Sequence, residues 1–97
     1  INAQDASGNT ALMGVCFKGH SNIAKLLLDN GANVNTTNFN GATALIYAAT
    51  FAKKDIVELL LENGADTTIK DDRGNTAMDH AQMQDAKLIV ELLENKK

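Results

Sequence analysis

Residues 8–35 read GNTALMGVCFKGHSNIAKLLLDNGANVN, and the pattern returns as GATALIYAATFAKKDIVELLLENGADTT at 41–68 and as GNTAMDHAQMQDAKLIVELLENKK at 74–97. Six columns are invariant at an interval of 33 residues: Gly8, Gly41 and Gly74; Thr10, Thr43 and Thr76; Ala11, Ala44 and Ala77; Ile23, Ile56 and Ile89; Leu26, Leu59 and Leu92; Leu27, Leu60 and Leu93. Such a period marks a unit that cannot bury its apolar face alone and must stack on copies of itself. The expected product is a small solenoid.

One unit shows how the residues write the structure. Thr10 is placed to cap a helix running to about Lys18, with Ala11, Leu12, Val15 and Cys16 at helical spacing. Gly19-His20 makes a turn, and a second helix over roughly Ser21 to Asn30 puts Ile23, Ala24, Leu26, Leu27 and Leu28 on a broad apolar face before Gly31 stops it. The polar stretch from Ala32 to Ala42 reads as an extended excursion with a tight turn at Asn40-Gly41, and the next helix begins at Thr43. Helices of two to three turns do not persist alone in water, so neighbouring units must hold them.

The three stretches resemble successive ankyrin repeats, matching in period, turn glycine, threonine cap, the Ile-x-x-Leu-Leu core of the second helix and the Gly-Ala after it. The resemblance implies an all-α fold, a solenoid of stacked helix-turn-helix units joined by extended β-hairpin-like turns. Residues 1–4 then form the tail of a truncated upstream repeat, 5–37 repeat one, 38–70 repeat two and 71–97 repeat three, within one domain over 1–97. The departures are specific. Where the family has Thr-Pro-Leu-His, this chain has TALM, TALI and TAMD, a first helix similar to ankyrin repeats common in bacteria. Alanine keeps the helix but lacks the preset angle of proline. Met13, Ile46 and Asp79 replace the family's hydrogen-bonding histidine, so apolar packing by Met13 and Ile46 is expected where that polar link would lie.

The ends differ in kind. Ile1 to Asp5 aligns with Val34 to Asn38, the tail of one unit leading into the next. A missing upstream neighbour would bare apolar surface beside Leu12, Met13 and Ile23 and leave self-association through that face open. In the third unit, Glu94 replaces Leu28 and Leu61, Gln82 replaces Ala49, His80 replaces Tyr47 and Asp79 replaces Ile46. Polar residues on an outer stacking face are the expected pattern of a C-terminal cap.

Composition narrows the function. The 97 residues are 44% hydrophobic and 22% charged with no proline, which suits one folded domain. A net charge of −3, with nine basic residues scattered along the chain, provides no cationic stripe for nucleic acid or a membrane surface. No apolar run has bilayer length. Cys16 is the single cysteine, which excludes an internal disulfide and agrees with a reducing compartment such as the cytoplasm.

No residues point to a cofactor or a reaction. Cys16 and His20 are four apart, but one falls in a small core column and the other at the turn, with no further ligand near in sequence. Asp79 and His80 are helical neighbours that do not face each other and read as solvated cap residues. Lys70 to Asn75 lacks the alternating oxygen ligands and closing glutamate of a calcium loop. The glycines are spaced by repeat and not clustered for a phosphate. The chain is therefore expected not to be an enzyme.

Relatives of this kind bind partner proteins on the concave side, along the turn tips and first helices. Carried onto this sequence, the resemblance gives Phe39, Asn40, Tyr47, Thr50, Phe51, Lys70, Asp72, Arg73 and His80 as the candidate binding residues, with Phe39, Tyr47 and Phe51 as the aromatic centre. The expected role is a protein-protein interaction scaffold for a partner whose identity the sequence does not name. The alternative is a regulatory or targeting segment packed on another domain of a larger enzyme or effector.

Overall fold

Each Thr-Ala step starts a helix. Thr10, Thr43 and Thr76 hold extended backbone, and their hydroxyls accept from the amides of Met13, Ile46 and Asp79, filling groups that a helix N-terminus leaves open. In the third unit the Thr76 amide in turn donates to the Asp79 carboxylate at 2.9 Å, completing a capping box. The computed structural model describes residues 1–95; the last two positions of the expected third repeat, 96 and 97, lie outside the described residues. The helices are α1 (Ala11–Lys18), α2 (Ser21–Asp29), α3 (Ala44–Thr50), α4 (Lys54–Glu62), α5 (Ala77–Met83) and α6 (Lys87–Glu94).

They form three hairpins, α1 with α2, α3 with α4 and α5 with α6. First helices pack in series, α1 on α3 on α5, and second helices likewise, α2 on α4 on α6. All described residues outside the helices are turns or irregular, and none is assigned to a strand. The core runs through the middle unit: Leu45, Ala48, Ala49, Ile56, Val57 and Leu60 are all at most 1% exposed. Met13 and Ile46 are buried beside them, supplying apolar packing at the positions where the family carries histidine. Cys16 is fully buried, and burial pushes its thiol up to about 12.

Small columns carry the turns. Gly19 between α1 and α2 is left-handed, and the same place in the other units is taken by Ala52 at φ 57° and Asp85 at φ 54°, a conformation that costs a residue with a Cβ. After α2 and α4, Asn30 and Asn63 bond back through Nδ2 to the carbonyls of Leu26 and Leu59, each at 2.8 Å.

The expected bare surface is found at Ile23 but not at Leu12 and Met13. The apolar face of α2 is not covered throughout: Ala24 is buried, but Ile23 is 46% and Leu26 60% exposed. Their counterparts Ile56 and Ile89 are at most 2% exposed because a preceding unit packs on them, and none of the described residues does so for α2. Nor are Leu12 and Met13 bare, since α3 covers α1 from the other side and leaves each at 2%. At the far face Gln82 and Glu94 are exposed, where Ala49 and Leu61 are buried.

Candidate protein-binding surface

Three polar fingers project beside the first helices, each built on one carboxylate or carboxamide. Asp5 Oδ1 accepts from the amides of Ser7 and Asn9, Asn38 Oδ1 from those of Asn40 and Ala42, and Asp71 Oδ1 from those of Arg73 and Asn75, all between 2.9 and 3.0 Å. Asp and Asn suit this place because either presents an oxygen that can bond the backbone two residues on. Adjacent fingers are joined by main-chain bonds, from the Phe39 amide to the Ser7 carbonyl at 3.1 Å and from the Asp72 amide to the Asn40 carbonyl at 2.9 Å. Behind them Asn2 and Asn35 accept from the amides of Asn33 and Asp66 in the loops that follow the second helices.

The remaining atom of the finger head reaches the first helix. Asn38 Nδ2 donates to Tyr47 Oη at 3.0 Å and to Asn9 Oδ1 at 2.9 Å, while the Tyr47 hydroxyl donates to Asn9 Oδ1 at 3.3 Å, so this polar cluster spans two units. One repeat later, His80 Nε2 lies 2.8 Å from Asp71 Oδ2. An ionised carboxylate only accepts, so the histidine donates. His80 and Asp71 keep only 18% and 11% of their side chains exposed. The expectation that His80 is a solvated cap residue therefore fails, because position 80 lies one helical repeat of 33 from Tyr47 and reaches the same finger head; Asp79 is likewise occupied by the capping box. Burial pulls the Asp71 carboxyl upward, but bonds from the Asn75 and Arg73 amides and from His80 outweigh it and hold the group below its ordinary value.

The aromatic residues group differently from the sequence expectation. Phe17 and Phe51 meet edge to face with centroids 4.7 Å apart, and Phe17 meets Tyr47 at 6.3 Å in the same manner, which is a favoured arrangement of ring quadrupoles. Phe17 and Phe51 nevertheless stay 48% and 43% exposed. Phe39 is not part of this group. Its ring crosses Gly8, where a Cβ would come within 2.7 Å of it, and it remains 72% exposed on the second finger. A glycine with φ 82° allows that approach.

Asn40, Tyr47, Thr50, Phe51, Asp72, Arg73 and His80 line one depression of about 350 Å³ between the second and third fingers and helices α3 and α5. Phe39 and Lys70, the other two candidates, do not line it, and Thr50 spends its hydroxyl on the Ile46 carbonyl at 2.7 Å. A second depression of about 220 Å³, lined by Asn9, Met13, Gly14, Phe17 and Tyr47, adjoins it, with Tyr47 as the shared wall. Sequence reasoning left out Asn38 and Asp71, although the 5, 38, 71 column of Asp, Asn, Asp at the 33-residue interval was available to find them.

No group of three or more His, Cys, Asp or Glu side chains able to hold a metal ion occurs among the described residues. No helix among them is long and apolar enough to cross a membrane. In comparison with protein families, residues 1–71 match the family described as ankyrin repeats (3 copies). Comparison with curated proteins gave no match.

Proposed function

The chain belongs to the ankyrin-repeat family, and on that premise we propose that it is a scaffold holding a segment of a partner protein on its finger side, the concave surface of the solenoid. Ankyrin repeats are generally protein-protein interaction modules and are typically non-catalytic. The observation that carries the finer reading is the half-exposed pair Phe17 and Phe51, set against Tyr47 at the rim of the two depressions. Half-exposed aromatic rings held by their neighbours bind at small entropic cost and dominate interface energies. Asp72 and Arg73 give the rim both charges, which suits a polar partner segment with a few apolar anchors.

Affinity capture with the whole chain, followed by titration of the captured partner against variants, tests this. Phe51→Ala should weaken binding by about 1–3 kcal/mol with an unchanged melting temperature. Arg73→Ala should act mainly at the rim, changing the salt dependence of binding. Full affinity in Phe51→Ala, Tyr47→Phe and Arg73→Ala together would refute the assigned surface.

A further inference from the structure

In the second and third units, a ring on the first helix reaches the finger head: Tyr47 meets Asn38, and His80 meets Asp71. The first unit has the finger head without the ring. The 33-residue counterpart of Tyr47 and His80 is Gly14, which is exposed and has open space where a Cβ would begin. Asp5 is oriented like its counterparts, since its Oδ1 takes the same two finger amides; among the described residues its Oδ2, the counterpart of the atoms that meet Tyr47 and His80, has no hydrogen-bond partner.

A notch adjoins Gly14. It is lined by the buried Met13, the Phe17 and Tyr47 rings and Asn9; Asp5 lies outside this lining, and the repeat register, which sets Asn38 beside Tyr47 and Asp71 beside His80, is what brings its carboxylate to the finger end. At about 220 Å³ it falls below the ~300–1,000 Å³ usual for small-molecule sites and suits one side chain. We propose that this notch receives a tyrosine side chain of the partner protein, its phenol lying over Gly14 where Tyr47 and His80 lie over their own helices and its hydroxyl donating to Asp5 Oδ2. The aromatic and thioether walls favour a ring. An ionised carboxylate accepts from a donor and repels an anion, so the phenol fits and its phosphate ester does not. The inference rests on the finger side being the binding surface.

The test is amide NMR of the whole chain titrated with N-acetyl-tyrosine N-methylamide and its phenylalanine and phosphotyrosine counterparts. The tyrosine probe should move the signals of Asn9, Met13 and Gly14 and bind about fivefold tighter than the phenylalanine probe, the worth of one hydrogen bond. The phosphotyrosine probe should leave those signals in place, and Asp5→Asn should let it bind. Gly14→Tyr, filling the notch from within, should abolish the response without lowering the melting temperature. Equal responses to tyrosine and phenylalanine, responses centred elsewhere, or an undiminished response in Gly14→Tyr would each overturn the inference. A captured partner held equally by wild type and Gly14→Tyr also overturns it while leaving the surface reading intact. That reading falls separately, when the Phe51, Tyr47 and Arg73 variants all bind at full strength.

Discussion

His80 stands to Asp71 as Tyr47 stands to Asn38: nine residues apart in each case, with contacts of 2.8 and 3.0 Å between a first-helix ring and the head of its finger. The two pairs differ in charge: the third unit joins finger to helix through a carboxylate, the second through a neutral carboxamide.

A carboxyl whose folded value is depressed contributes stability that is present above its unfolded value and lost as pH falls through the folded one. Asp71 is held below 3.8, so the support its carboxylate gives the third finger should fade as pH falls from about 5 through that value and below it. Acid unfolding followed by circular dichroism should be less steep in Asp71→Asn, which keeps the Oδ1 bonds but does not titrate. Identical acid transitions would show that Asp71 contributes nothing.

Leu60 is fully buried in the middle unit, so Leu60→Ala should destabilise by about 2–5 kcal/mol through lost burial and a residual cavity. Leu59 is only half-buried, and its truncation should cost less. We propose that unit three caps the array, with Glu94 on a solvated face, so that Glu94→Ala stays within about 0.5 kcal/mol. Urea melts give the ranking, and equal losses at Leu60 and Glu94 would contradict the cap.

Ala52 holds φ 57° where the first unit has Gly19. Left-handed backbone costs a Cβ-bearing residue roughly 1–2 kcal/mol, partly offset by the larger unfolded-state entropy of glycine. Ala52→Gly should therefore raise the urea midpoint, by about 0.5–1 kcal/mol in stability. A lowered midpoint would mean that the turn carries no strain.

Ile23 and Leu26 form an apolar strip on α2 that the second and third units cover in their own helices. We propose that this strip drives weak self-association. Sedimentation over a concentration series should show mass rising with concentration in the wild type and a monomer throughout for Leu26→Glu. A wild type that stays monomeric at every concentration removes the proposal.

The helices were legible because their signals are local: threonine before alanine sets each start, and the Ile-x-x-Leu-Leu column sets the buried stripe. The burial of that stripe was less so. Ile23 and Ile56 are the same residue at the same place, and what separates 46% exposure from 1% is whether the described residues include a preceding unit. The polar wiring was missed because its members vary in identity. Asp5, Asn38 and Asp71 do one job with two residue types, and Asn9 acts across units where its counterpart Ala42 has no polar side chain at all. Phe39 shared only a residue class with Tyr47 and Phe51; the turn geometry sends it over Gly8 instead.

The finger heads have an evolutionary consequence. In each finger the two loop amides bond to Oδ1, an atom that Asp and Asn share, while the second atom on the same carbon meets the first-helix ring in units two and three. A single-nucleotide exchange between the two residues thus swaps an acceptor for a donor without disturbing the loop that carries it. Drift at the exposed position 5 can rewrite the polarity of the surface on an unchanged frame, whereas at 38 and 71 the ring on the first helix must change with it.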